Sequence, residues 1–494
     1  FLPGWAVGLP MFGSYVSSIS FLANPGKSFA GDWNAFVFTL ATPVAAVVAV
    51  RWFVPFYRRA GEVSAYEHLG RRFGPWARTY AVVCFLLTQV ARTGTVVYLL
   101  ALAASPLTGW GVPAVIVLVG TLMVVASFFG GIQAAVWVGA VQSVVLVAGP
   151  VACAVVLLGL VPGGVAGVVE TAQEAGKLGL GSLAPSLAQP TFWVVLVYGL
   201  TINLGNFGID QSYVQRYITT PTLAQARRSV WITAALYVPT AALFFFIGTA
   251  LWALHGARPE LFPAALDAAA KPDAVFPAFI AGQLPVGLAG LVVASIFAAS
   301  MDSSLSSMAT LTLCDVYKRY VRPHAGERES IAVLRGATLG WGVVATGAAL
   351  LMTRAKNVLD VWWELAGVFS GGMLGLFLLG LIARRARNAT AVTAVTVGVL
   401  VILWMTLSPK AAMWPASLDA LRSPFHNLMI SVVGTLTVLL VGLLVSRWEP
   451  RERRGSDLQG VGHRPQHNPE RAVNEGRRAA SPRAEPRQGA DATR

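Results

Sequence analysis

The chain has 494 residues, of which 55% are hydrophobic and only 12% charged, where soluble proteins carry about 25% charged residues. With a mean hydropathy of +0.63 it has too little polar surface for a soluble multidomain protein, so most of it must lie in lipid. Its 37 Lys+Arg against 23 Asp+Glu give a net charge of +14, which fits nucleic acid or a membrane face until the charges are placed.

Apolar runs of bilayer-spanning length, about 20 residues each, fall at 4–23, 34–56, 79–104, 112–129, 134–161, 191–209, 229–254, 281–311, 334–352, 358–382, 389–407 and 425–446. They predict an all-α integral membrane protein of about 12 transmembrane helices. From Arg447 on, the chain is rich in Arg, Glu, Pro and Gly and nearly free of apolar residues, so 447–494 reads as a disordered basic tail. The chain starts at Phe1 without a methionine or a readable signal peptide, and it is expected to begin inside a longer protein. Cys84, Cys153 and Cys314 have neither disulfide nor metal-ligand spacing.

The charges alternate along the chain. Arg58, Arg59, Arg71, Arg72 and Arg78 lie between spans 2 and 3; Arg216, Arg227 and Arg228 follow span 6; Lys318, Arg319, Arg322, Arg328 and Arg335 surround the loop after span 8; Arg384, Arg385 and Arg387 follow span 10. The intervening loops are poor in base. This places the basic loops and the tail in the cytoplasm and turns the excess charge into a statement of topology. No nucleic-acid partner is expected; the partners are membrane lipid and a small solute, and no oligomer is required.

Several helices are interrupted. Span 1 carries Gly13, Ser14, Ser17, Ser18 and Ser20 before Asn24-Pro25-Gly26, span 6 ends in Asn203, Gly205, Asn206, Gly208 and Asp210, and span 10 holds Ser370-Gly371-Gly372. Five-plus-five inverted-repeat transporters break the first helix of each half, and spans 1 and 6 fit that pattern. Span 8 contains five serines and an aspartate within Ser300–Ser307, which are expensive in hydrocarbon and should face protein or water. Helical spacing sets Ile296, Ser300, Ser303 and Ser307 along one side. Hydroxyl and carbonyl oxygens suit sodium, though small residues packing helix on helix give the same pattern. Asp302 tips the balance toward an ion. In span 3, Arg92 lies halfway along an apolar helix; its planar fork suits a solute carboxylate, or it pairs structurally with Asp210 or Asp302. Gln89, one turn earlier, serves either role. Trp362-Trp363-Glu364 reads as an interfacial anchor rather than a gate.

The run from Ala294 to Thr310, ending in Leu313-Cys314-Asp315-Val316-Tyr317-Lys318-Arg319, resembles the signature helix of the sodium:solute symporter family. Trp5-Ala6-Val7-Gly8-Leu9 through Pro25-Gly26-Lys27, Gly130-Gly131-Ile132-Gln133 through Trp137, Asp210-Gln211-Ser212-Tyr213-Val214-Gln215-Arg216 and Leu284-Pro285-Val286-Gly287 are similar to further motifs of that family, in the same order. The resemblance implies a five-plus-five core over 1–385, additional helices over 386–446 and a further helix ahead of the Trp-Ala-Val-Gly stretch. It implies a sodium site made by the carbonyls of Gly13, Val16 and Ile296 and the hydroxyl of Ser300. The usual second hydroxyl is replaced by Ala299, for which Ser303 can compensate. An acid two residues after the motif tryptophan is common in the family, but this chain reads Trp137-Val138-Gly139, so one coupling sodium is expected. By resemblance to sialic acid carriers, Arg92 would hold a solute carboxylate beside Ser17 and Ser20, while Asp210 and Gln211 match a pair near the cavity of sugar carriers.

These features predict a sodium-coupled secondary symporter of the cell membrane, not an enzyme, importing a carboxylated solute such as sialic acid. A neutral sugar or nucleoside carrier, and a membrane solute sensor with the same fold, are the alternatives.

Overall fold

The computed structural model describes residues 4–60, 64–129, 132–264, 266–300, 304–355, 357–410 and 414–449; the side chains of 4–6, 10, 60, 129, 132–142, 217, 298–300 and 416 are outside that description, as are Asp302 and Ser303 entirely. The described residues form helices and loops without a β-strand. Among the described residues nine helices are long and apolar enough to cross a bilayer, Asn34–Arg59, Pro75–Thr108, Ser143–Leu160, Phe192–Ile209, Leu223–Ala257, Glu327–Met352, Val358–Ile382, Asn388–Leu407 and Met429–Trp448. Span 4 is the apolar helix Val112–Phe129. Spans 1 and 8 are built from shorter pieces, which brings the series to the expected twelve.

The predicted interruptions are real. Span 1 is helical over Gly4–Tyr15, leaves the helix at Val16 and Ser17, and resumes as a wide turn over Ile19–Ala23 followed by the helix Asn24–Ala30. Span 6 runs Phe192–Ile209, breaks at an extended Asp210, and continues as Gln211–Thr219. Backbone polar groups freed inside a membrane must find partners in the protein. At the second break the Gly208 carbonyl accepts the Tyr57 hydroxyl at 2.7 Å, and the Asp210 carboxylate caps the new helix by accepting from the Ser212 amide at 2.7 Å. The interruption predicted for span 10 is not seen, because Val358–Ile382 is one helix. Its Gly371 and Gly375 instead let span 12 approach closely: an added Cβ would lie 3.0 Å from the Ser431 Cα at the first and 2.8 Å from the Val438 Cβ at the second.

Span 1 packs against spans 5, 7 and 8, span 6 against spans 2 and 10, and spans 11 and 12 against each other, span 12 also lying along span 10. The basic loops gather at one end. Arg58 donates to the carbonyls of Thr220 and Pro221 at 2.7 and 2.9 Å, Arg72 to that of Ala383 at 2.6 Å, and Arg78 pairs with Asp315. At the other end the Trp33 amide donates to Gly179 at 2.9 Å, Lys177 to the Phe29 carbonyl at 2.9 Å, and the His426 amide to Leu187 at 2.8 Å.

Gly248 of span 7 meets the outer part of span 1 with no room for a side chain, since an added Cβ would sit 2.7 Å from the Pro25 Cα, whereas Gly256 in the same helix faces open space. Gly248→Ala should therefore destabilise the protein by roughly 1–3 kcal/mol through overpacking, read as a lower melting temperature in detergent, and Gly256→Ala should not.

Candidate functional site

The break in span 1 makes the site. A helix leaves its last carbonyls without intrahelical donors, and its C-terminal end carries partial negative charge. Here that end, Phe12–Tyr15, lies among buried helices rather than in water. The Val16 amide returns to the Phe12 carbonyl at 2.9 Å, and the Ser20 hydroxyl donates to that of Tyr15 at 3.1 Å. The carbonyl of Ser14 accepts from the Arg92 guanidinium, and the Ser14 hydroxyl accepts from Arg216 at 2.9 Å. Two arginines, from span 3 and from the second half of span 6, thus meet at one residue of span 1. Attracting cations to this helix end is what its dipole favours.

A cavity of about 80 Å³ opens beside this junction, with Ser14, Tyr15, Ser17, Ser20, Asn24 and Arg92 along one wall and Thr39, Asn206, Tyr213 and Tyr237 among the rest of its lining. The Tyr15 ring lies 5.4, 5.2 and 5.0 Å from those of Phe207, Tyr213 and Tyr237, so an aromatic cage holds the break in place. Trp362 and Trp363 line the same cavity. This corrects their reading as interfacial anchors: Trp363 is buried, its ring 5.3 Å from Phe38 and 5.5 Å from Tyr198, and only Glu364 turns outward, to Lys410 at 3.2 Å. Polar groups on one wall and aromatic faces on the other suit a small polar solute.

Of the residues expected to bind solute, Ser17, Ser20 and Arg92 line the cavity together. Gln89, Asp210 and Gln211 do not; they form a buried layer at the break of span 6. Gln89 donates to the Asp210 carboxylate at 3.1 Å, and the Gln211 side-chain oxygen accepts the Ala65 amide at 2.8 Å. Their buried bonds tie span 6 to span 3 and to the loop after span 2.

Of the expected sodium ligands, Gly13 and Val16 occupy the C-terminal turn of the first half-helix and the bend after it. Ile296 is fully buried in Val286–Ser300 of span 8, which touches that half-helix. The Ser300 side chain and Ser303 lie outside the described residues, as does Ser303's proposed compensation for Ala299. The donors that are described, main-chain carbonyls at the negative end of a helix, are of the right chemistry for a hard monovalent cation. Ser307, placed on the same stripe, instead accepts from Ser212 and Gln215, each at 3.2 Å, joining span 8 to the second half of span 6.

Sequence reasoning missed Arg216, which reads as one more basic loop residue. The available signal was its place six residues after Asp210, within a helix that restarts inside the membrane. Asn24 and Asn206 were read only as marks of the helix interruptions, and Thr39 carried no signal beyond being polar in an apolar run.

Twelve spans with broken first and sixth helices, meeting at a polar cavity, define a secondary-transporter core. The sodium:solute symporter family model matches residues 2–398, and the chain belongs to that family. It is 30% identical over 452 residues to the sodium/sialic acid symporter NanT of Aliivibrio fischeri, covering 90% of this chain and 86% of that one. It is 26% identical to the human sodium-coupled monocarboxylate transporter 1, covering 89% of this chain and 79% of that one. Among solved structures, the substrate-bound outward-open state of a sodium-coupled sialic acid symporter matches with a TM-score of 0.79 at 27% identity, covering 90% of each chain. A nucleobase-cation-symport-1 family transporter in a closed conformation, at 18% identity and a TM-score of 0.60, shares the fold.

Proposed function

We propose that this protein is a sodium-coupled symporter that carries a small carboxylated solute into the cell, sialic acid being the first candidate and a simple monocarboxylate the second. The observation that supports this reading is Arg92, an arginine in the wall of the central cavity beside Ser17 and Ser20. A planar guanidinium buried among apolar helices is costly unless it meets an anion or a carbonyl, and a carboxylate matches its fork. Relatives at 30% and 26% identity carry sialic acid and monocarboxylates by name, and both solutes present a carboxylate. In the proposed orientation the arginine-rich loops and the C-terminal tail face the cytoplasm.

The proposed cycle follows from the span 1 junction. Sodium held by the carbonyls of Gly13, Val16 and Ile296 and the hydroxyls of Ser300 and Ser303 joins the first half of span 1 to span 8. One such ion per cycle is proposed, because Gly139 offers no carboxylate. The solute carboxylate then competes with the Ser14 carbonyl for Arg92 while Ser17 and Ser20 donate to it. That exchange removes one of the two arginine contacts holding the half-helix Gly4–Tyr15. Loss of sodium to the cytoplasm frees the same half-helix from span 8, and the solute leaves on that side. Binding energy is spent on moving one short helix, so each ligand shifts the equilibrium only by its differential affinity for the two arrangements.

Two variants test the assignment. Ser300→Ala removes a charge-assisted ligand worth about 1.5–3 kcal/mol and should raise the sodium concentration for half-maximal uptake by about tenfold or more; unchanged sodium activation would remove Ser300 from the site. Arg92→Lys keeps the charge but loses the paired donors. It should raise the half-saturating concentration of sialic acid by about tenfold while the purified protein keeps its melting temperature. A variant that fails to fold would instead make Arg92 a structural cap of span 1.

A further inference from the structure

Spans 1 and 10 line more than the central cavity. A second cavity, of about 770 Å³, lies along the same helices and is lined by Phe29, Trp252, His255, Asn357 and Asp360 among others. The first cavity reaches Asn24 of span 1 and Leu359 of span 10; the second begins at Phe29 and Asp360. An ion pair joins the two helices at Lys27, which falls between Asn24 and Phe29 along span 1. Lys27 of span 1 holds both carboxylate oxygens of Asp360 of span 10, at 2.7 and 2.8 Å. Its side chains are 30% and 53% exposed, so it is a wet bond of the kind that contributes little and is readily exchanged.

Behind that pair sits a carboxylate that the transport cycle does not use. Asp273, in the loop between spans 7 and 8, is 3% exposed. One of its oxygens accepts the Val358 amide at 3.0 Å, at the first turn of span 10 and two residues from Asp360. The other oxygen is buried without a partner. Its main chain presses on Gly26, the neighbour of Lys27, so closely that an added Cβ there would lie 2.9 Å from the Asp273 Cα. Asp273 therefore touches span 1 next to one half of the ion pair and span 10 next to the other. The charged and titratable groups around it are Lys27 on span 1, Asp360 on span 10, Tyr98 on span 3, His255 on span 7, Lys271 on its own loop and His426 ahead of span 12.

We propose that Asp273 is a protonation-controlled strut of an outer gate made by Lys27 and Asp360: neutral, it lets spans 1 and 10 close over the solute cavity, and ionised, it favours their separation. The proposal rests on the carrier reading and on the orientation given above. Chemistry and geometry agree on its direction. In the closed arrangement burial pushes the Asp273 carboxyl up to about 7, aided by Asp360 and opposed by the Val358 amide bond and by Lys27. Parting of the two helices would wet the carboxyl and return it to the usual carboxylate range. The closed state then holds one more proton than the open state between those limits. Closure is favoured as the outside pH falls below about 7, by up to tenfold per pH unit, and that advantage vanishes above it.

The test uses the full chain in proteoliposomes with the outer face exposed, a fixed sodium gradient, a fixed internal pH and sialic acid as the probe. As outside pH falls from about 8 to about 6, the half-saturating concentration of sialic acid should rise several-fold in the wild type. Asp273→Asn, nearly the same shape and permanently neutral, should show the high, acid-like value across the whole range. A wild-type value that does not move, or an Asp273→Asn variant that keeps the wild-type slope, overturns the strut. If no sialic acid is accumulated at any pH, the substrate reading fails, and infrared titration of the purified protein decides the strut separately. A carbonyl band of a protonated carboxylic acid that disappears near pH 7 in the wild type and is missing in Asp273→Asn supports it; no such band in the wild type contradicts it.

Discussion

Span 1 is interrupted in the middle of a membrane protein, and its freed carbonyls must be satisfied without water. That one requirement organises the rest of the molecule. Arg92 and Arg216 converge on Ser14 because a helix end carrying partial negative charge attracts cations. The same helix end is where sodium is proposed to bind, so a break that is costly inside a membrane, away from water, is what the proposed site uses. Span 6 meets the same requirement differently. Tyr57 covers the Gly208 carbonyl and Asp210 caps the restarted helix, so its break is closed by the protein's own groups, whereas that of span 1 lies beside the polar cavity with Arg92 and Arg216 on Ser14.

In the proposed cycle the moving part is a single half-helix. The half-helix Gly4–Tyr15 is held by two arginine contacts, by the aromatic cage around Tyr15 and by packing on spans 5, 7 and 8. Its packing on span 7 is among the most extensive between helices of the described residues, so a ligand can bias its position only by its differential affinity for the two arrangements. At the opposite end of the same span, Lys27 and Asp273 meet span 10. One broken helix is thereby the element on which the proposed effects of solute, sodium and outside pH all act.

Much of the architecture was legible in the sequence because a bilayer demands apolar runs and tolerates few exceptions. The twelve spans, the breaks at Val16–Ser17 and Asp210, and Arg92 all stood out as departures from hydrocarbon. What was not legible depends on which way a side chain turns. Trp362 and Trp363 read as anchors at a membrane edge, but span 10 rotates them inward to the cavity. Gln89, Asp210 and Gln211 read as solute ligands, but their bonds run to one another and to the loop after span 2. Arg216 was counted with the basic loops, and nothing singled out Asp273, since neither burial nor a partner on a distant helix leaves a mark in local sequence. Gly371 and Gly372 suggested a third break, yet glycine in a membrane helix also serves close packing, as it does here for Gly371 against span 12 and for Gly372 against Tyr80 of span 3.

The central claim is that sodium at the span 1 break drives solute across the membrane. Its most direct test is uptake of labelled sialic acid into proteoliposomes under an inward sodium gradient. Accumulation above the outside concentration, lost when the gradient is collapsed, is the result expected of a coupled carrier. Saturable binding of sialic acid with no accumulation, or accumulation at the same rate without sodium, would contradict it.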